Sequence, residues 1–167
     1  MSTENAFDFK EEPKLIEYLE KEPMKLHKGL FFFHNKAKFR KDLIPLQFLF
    51  RDYVGVALHA AGIRDSYIRD SFSEEYLLVI LTEHETIKST DKIVEERQNV
   101  QIDKGCYYIE GNTNYIILMT KDMEGLHNGL KTFETILEQT FNNYFETKNF
   151  DDYVKVPCFK LYHCAPL

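Results

Sequence analysis

The sequence predicts an α+β fold, a two-layer sandwich in which a mixed sheet carries two long parallel helices on one face. Three observations predict it. Two stretches, residues 42–63 and 122–144, are patterned as long helices; short apolar runs of strand character alternate with them; and a hairpin turn joins two of those runs. At 167 residues the chain is read as one sandwich domain, residues 29–167, preceded by a polar segment, residues 1–28.

In that first segment "EEPKLIEYLEKEP" reads as a short peripheral helix between Pro13 and Pro23, with Leu15, Ile16 and Leu19 as its apolar face. The run Leu30 to Phe33 in "KGLFFFHNK" is too short for a helix and rich in aromatics, so a buried strand is expected. "DLIPLQFLFRDYVGVALHAAGI" follows as a helix of about four turns, with Pro45 near its start and Gly62 just past its end. Its apolar positions, among them Leu46, Leu49, Phe50, Tyr53, Val54 and Leu58, exceed the single stripe of a surface helix. Such a helix needs cover on more than one side.

"YLLVILT", Tyr76 to Thr82, is an unbroken apolar strand of the mid-sheet kind. The charged stretch Glu83 to Gln101 is ambiguous: "DKIVEERQ" suits two helical turns or a long loop. Cys106 to Glu110 and Tyr115 to Thr120 then form a hairpin around "GNTN". Asp122 is placed to cap the second long helix, whose apolar stripe runs through Leu126, Leu130, Phe133, Leu137, Phe141 and Tyr144, with Lys131, Glu134, Glu138 and Asn142 opposite. "YVKVPCFKLYH" makes a last strand, with Pro157 suggesting a bulge or an edge.

Gly125 and Gly129 interrupt the second helix, and a helical glycine costs about 1 kcal/mol against alanine. A close approach of backbones offers the compensation. Gly55, Ala57, Ala60 and Ala61 give the first helix a matching small surface, so the two helices are expected to pack side by side there, with Leu126 and Phe133 beside the seam.

Composition narrows the function classes. With 21 basic and 27 acidic residues the net charge is −6, which disfavours nucleic acid, and no run approaches the roughly 20 apolar residues that cross a bilayer. "MSTENAFDFKEEPK" lacks a secretory pattern, and three cysteines, Cys106, Cys158 and Cys164, are an odd number without metal spacing. A cytoplasmic protein with reduced thiols is the expectation.

The segment Asn114 to Gln139, "NYIILMTKDMEGLHNGLKTFETILEQ", resembles part of the non-catalytic domain that precedes the catalytic barrel in β-N-acetylhexosaminidases and, more loosely, in O-GlcNAcase-like hydrolases and α-glucuronidases. The matching positions are Asp122, Gly125, Gly129, Thr132, Ile136 and Leu137, with His127 near the family's aromatic. The "YYIEGNTNYIIL" hairpin and the exit strand "DDYVKVPCFKLY" resemble the same domain. The resemblance implies a sheet carrying two parallel helices, packed between sheet and barrel, with the paired Asp-Glu acid site far downstream. Tyr162 and His163 stand where the family usually has an Arg-Gly that contacts sugar.

Within the chain no catalytic signature emerges. "EHETIK" has Lys88 where the His-Glu-x-x-His zinc motif needs its second histidine. Cys158, His163 and Cys164 lack a fourth ligand, the acidic pairs Asp151/Asp152, Glu74/Glu75 and Glu95/Glu96 are sequence neighbours, and there is no phosphate loop or nucleophile elbow. No cofactor or metal is expected. The first functional reading is an accessory domain whose helix layer docks on a catalytic barrel in the same chain or on another copy. A second reading is a small binding protein or enzyme whose pocket is lined by Tyr53, His59, Tyr107 and Tyr108.

Overall fold

A computed structural model describes residues 7–26, 31–34, 40–54, 60–62, 76–81, 97, 100–146 and 154–167. In chain order the elements are β1 (Leu15–Tyr18), β2 (Met24–Leu26), β3 (Phe31–His34), α1 (Arg40–Val54), β4 (Ala60–Gly62), β5 (Tyr76–Leu81), β6 (Tyr107–Gly111), β7 (Tyr115–Thr120), α2 (Met123–Glu146), β8 (Val154–Val156) and β9 (Phe159–His163). Seven strands make one mixed sheet in the order β1-β9-β6-β7-β5-β3-β4, and β2 pairs with β8 beside it. The pairings from β1 to β7 are antiparallel, whereas β7, β5, β3 and β4 run parallel. This is the α+β architecture with a mixed sheet that the sequence predicts.

The hairpin and the second helix fall where their patterns place them. Tyr107 opposes Thr120 and Gly111 opposes Ile116, and the turn closes with the Asn112 N–H on the Tyr115 carbonyl at 2.8 Å. Asp122 caps α2: its Oδ1 accepts the Gly125 N–H at 2.7 Å. The stripe through Leu126, Leu130, Phe133, Ile136, Leu137 and Phe141 is buried. It packs with Tyr107, Ile109, Ile116 and Leu118 from one face of the hairpin and Phe159 and Leu161 from β9. Leu43 and Leu46 of α1 enter the same core.

Several expectations are overturned. Residues 15–18 are not helical: they form β1, an edge strand on β9, with Ile16 and Tyr18 turned inward and Leu15 and Glu17 outward. Two prolines ten residues apart leave too little chain for a stable helix, and sheet pairing takes over. Helix α1 ends at Val54, and Ala60 and Ala61 are not on it; they lie in β4, parallel to Phe32 and Phe33 of β3. The apolar run that reads as one helix is helix followed by strand, a βαβ unit whose second strand has to turn back onto the sheet. Gly55 and Ala57 lie outside the described residues, as do residues 91–96 of "DKIVEERQ". Pro157 lies in neither of its flanking strands. It separates β8 from β9, and β9 is an interior strand between β1 and β6.

The glycine seam is a contact of helix on sheet. A Cβ on Gly125 would lie 2.3 Å from the Cys106 carbonyl oxygen, and one on Gly129 would lie 2.7 Å from Leu118 Cδ1 and 3.0 Å from Tyr107 Cβ. Both glycines therefore let α2 settle on the β6–β7 hairpin, not on small residues of α1. The two helices do touch: His127 Nε2 of α2 is 3.0 Å from Asp42 Oδ1 in the first turn of α1.

Candidate functional site

Strand β6 presents adjacent tyrosines to opposite faces of the sheet, and each organises a different set of partners. Tyr107 faces the helices and is fully buried. Its hydroxyl donates to the Ala165 carbonyl at 2.7 Å and shares a 2.6 Å hydrogen bond with Thr132 Oγ1 of α2, which also accepts the Leu167 N–H at 2.9 Å. Burial pushes the Tyr107 phenol up to about 12. Register adds a covalent tie: Tyr107 opposes His163, which sets Cys106 against Cys164, and the two form a disulfide. The expectation of three reduced thiols is thus corrected. Residues 58 apart in sequence become cross-strand neighbours only once β9 lies beside β6. Cys158 is free, buried, and its thiol is pushed up by that burial.

The turn before β6 is gripped by the start of α2. Gly105, at φ 77°, gives its N–H to the Asp122 carboxylate at 3.0 Å, and its carbonyl accepts Asn128 Nδ2 at 3.0 Å. Glycine is needed there because a side chain rarely adopts that backbone conformation.

On the far face, Tyr108 donates to Glu110 Oε1 at 2.6 Å, while Arg97 and Asn112 both donate to Glu110 Oε2. Arg97 Nη2 also reaches the Tyr115 hydroxyl at 2.8 Å, with its guanidinium 5.4 Å from that ring's centre. Arg97, Tyr108, Glu110 and Asn112 are all buried. Burial works to raise the Glu110 carboxyl, but the hydrogen bonds from Arg97 and Tyr108, the Arg97 charge and Asn112 outweigh it and hold the group below its ordinary value. Burial, followed by the bond to Glu110, raises the Tyr108 phenol. A carboxylate held ionised, with donors on both oxygens, is suited to fastening Arg97 to the sheet rather than to exchanging protons with a substrate.

Of the four residues expected to line a pocket, two have described side chains. Tyr107 and Tyr108 point to opposite faces and are buried, His59 lies outside the described residues, and of Tyr53 only its backbone place in α1 is described. Of the packing residues, Gly125, Leu126, Gly129 and Phe133 share the inner face of α2. Sequence reasoning missed Arg97, Asn112 and the Cys106–Cys164 pair. A signal existed for the first two: an acid in the middle of the apolar strand "YYIEG" demands a buried partner. Among the described residues no group of three or more His, Cys, Asp or Glu is placed to hold a metal, and no helix is long and apolar enough to cross a membrane.

Among the described residues the exposed large apolar side chains are Leu15 on β1 and three on the outer surface of the helix layer. Along α2 that surface carries Glu124, His127, Lys131, Glu138, Asn142 and Phe145. Along α1 it carries Ile44, Pro45 and Phe48, with Ile44 41% and Phe48 46% exposed.

No family model matches the sequence, and no curated protein matches it. Among solved structures, CpGH84D is similar over 95% of this chain and 24% of its own, at 10% identity and a TM-score of 0.62. A chitobiase from Flavobacterium johnsoniae is similar over 90% of this chain and 20% of its own, at 12% identity and a TM-score of 0.55. A GH20 exo-β-N-acetylglucosaminidase from Vibrio harveyi follows at 91% and 18%, with 10% identity and a TM-score of 0.53. The fold is therefore one that occurs as a part of hexosaminidase-type glycoside hydrolase chains, and this chain spans about a quarter or less of their length.

Proposed function

We propose that the chain is a non-catalytic accessory domain of the hexosaminidase type, which docks the outer face of α1 on a catalytic barrel. One observation carries the reading. Nearly the whole chain shares its fold with proteins of which it spans 18–24%, so the shared unit is a part that works beside a larger remainder. The barrel as that remainder comes from the resemblance of Asn114 to Gln139. Ile44, Pro45 and Phe48 give the docking a place, because an exposed apolar patch beside a polar row is the usual mark of an interface.

Without a barrel the same patch is satisfied by another copy of the chain. Sedimentation velocity over a range of concentrations tests this. The wild type is expected to self-associate, and a double variant Ile44→Glu, Phe48→Glu is expected to stay monomeric with unchanged folding; a wild type that is monomeric throughout contradicts the reading.

The compartment belongs to the same proposal. The cytoplasmic expectation rests on the lack of a secretory pattern in residues 1–14 and on reduced thiols, and against the second of these a Cys106–Cys164 disulfide supports an oxidising compartment. Thiol alkylation in denaturant before and after reduction, read by mass, distinguishes the two: one alkylated cysteine before reduction supports the disulfide, three contradict it.

A further inference from the structure

The segment ahead of β1 is bound to the fold much as a peptide is bound to a receptor. Phe7 is 4% exposed; its ring meets Phe159 edge-on at 5.2 Å and lies 6.0 Å from Tyr18. The Phe7 N–H donates to the Tyr18 hydroxyl at 3.3 Å. At the next residue a single side chain reads the backbone in both directions: Gln139 Oε1 of α2 accepts the Asp8 N–H at 2.8 Å, and Gln139 Nε2 donates to the Asp8 carbonyl at 2.6 Å. Pairing both main-chain groups of one residue is what a neighbouring strand does, and it is blind to the side chain at that position. Selectivity falls to the aromatic pocket by which Phe7 joins the core cluster, with Phe9 packed half-buried beside it, its ring 6.0 Å from that of Phe7.

The connection from this segment to β1 is built differently. Lys10, Glu11, Glu12 and Lys14 are exposed, and the contacts there are Glu11 Oε1 at 3.3 Å from His163 Nε2 and the Lys14 N–H on His163 Nδ1 at 3.2 Å. The anchored residues thus hang on a short polar tether. A tether of that length supplies its own ligand at millimolar effective concentration.

We propose that the groove bounded by Gln139 of α2, Phe159 of β9 and Tyr18 of β1 is a recognition site for an extended peptide segment bearing one aromatic anchor, which residues 7–9 fill as a tethered, displaceable ligand. The site uses none of Ile44, Pro45 or Phe48, so it stands independently of the docking reading.

The test uses the full chain and a fluorescent peptide of the sequence ENAFDFKEE, residues 4–12. A Phe7→Ala chain, its pocket vacated, is expected to bind the peptide, and the wild type to bind it at least tenfold more weakly because its own segment competes. Adding Gln139→Ala to the Phe7→Ala chain is expected to weaken binding about tenfold, the effect of losing about 1.4 kcal/mol of hydrogen bonding. A folded Phe7→Ala chain that ignores millimolar peptide, or a wild type that binds as well as the variant, overturns the proposal. Should Phe7→Ala fail to fold, hydrogen exchange of the wild type decides. An Asp8 amide that exchanges through openings much more frequent than those of Ile109 and Leu118 supports a displaceable ligand; equal protection means an integral part of the core and overturns it.

Discussion

The two helices of the layer answer to different surroundings. Helix α2 seals its inner side on the hairpin and carries charged and polar groups along most of its outer side, with Phe145 in its last turn the apolar exception at 45% exposure. Helix α1 buries Leu43 and Leu46 on the same core, yet turns Ile44, Pro45 and Phe48 to water. The difference is one of degree: Ile44, Pro45 and Phe48 stand together in the middle of α1, whereas Phe145 stands at the end of α2, and a grouped apolar patch is the commoner mark of an interface.

The seal under α2 is where the largest effect is expected. Gly125→Ala puts a methyl group 2.3 Å from the Cys106 carbonyl, a backbone atom tied by the disulfide and by the Asp122 cap, so the helix start has to lift. A loss of about 3 kcal/mol is expected in denaturant titration. Gly129→Ala meets the tip of Leu118 at 2.7 Å and Tyr107 Cβ at 3.0 Å but no backbone atom, and gains helix propensity, so it should lose less.

Glu110→Gln probes the far face, which neither helix touches. It removes the charge opposite buried Arg97 and is expected to cost about 2 kcal/mol at neutral pH. The pH dependence fixes the cause. Because the folded Glu110 carboxyl lies below its ordinary value, its contribution is present above the unfolded carboxyl range near about pH 4.3 and is lost as pH falls through the lower folded value. Stability of the wild type should therefore fall more steeply in acid than that of Glu110→Gln, with the two curves converging at low pH.

Tyr107→Phe is smaller. It deletes the hydroxyl bonded to Thr132 and Ala165 while the ring still fills the core. About 1 kcal/mol and faster hydrogen exchange at Leu167 are expected. Ile44→Lys on the outer side of α1 should leave the unfolding midpoint within about 0.5 kcal/mol of wild type. If that substitution instead destabilises the isolated monomer as much as Tyr107→Phe does, the contrast between the helices is lost.

Much of the fold is legible along the chain because its causes are local. "GNTN" between two apolar runs specifies the β6–β7 hairpin, and Asp122 with the stripe from Leu126 to Phe141 specifies α2. The illegible parts depend on partners distant in sequence. Leu15 to Tyr18 become a strand only because β9 lies beside them, and Cys106 meets Cys164 only through that same interior strand. Gly125 and Gly129 mark a close approach, but glycine spacing says that a surface comes near and not which one, and the surface is the hairpin. Glu110 announces a buried charge, but its partner Arg97 comes from a stretch whose composition suits helix and loop equally.

The proposed docking runs through α1 and not through α2. A photocrosslinking residue placed at Ile44 in one preparation of the full chain and at Lys131 in another tests it most directly, with the products mapped by peptide mass. Intermolecular crosslinks from position 44, with few from position 131, are the predicted result. Equal yields from both positions, or none from 44 at concentrations where the chain self-associates, would contradict it.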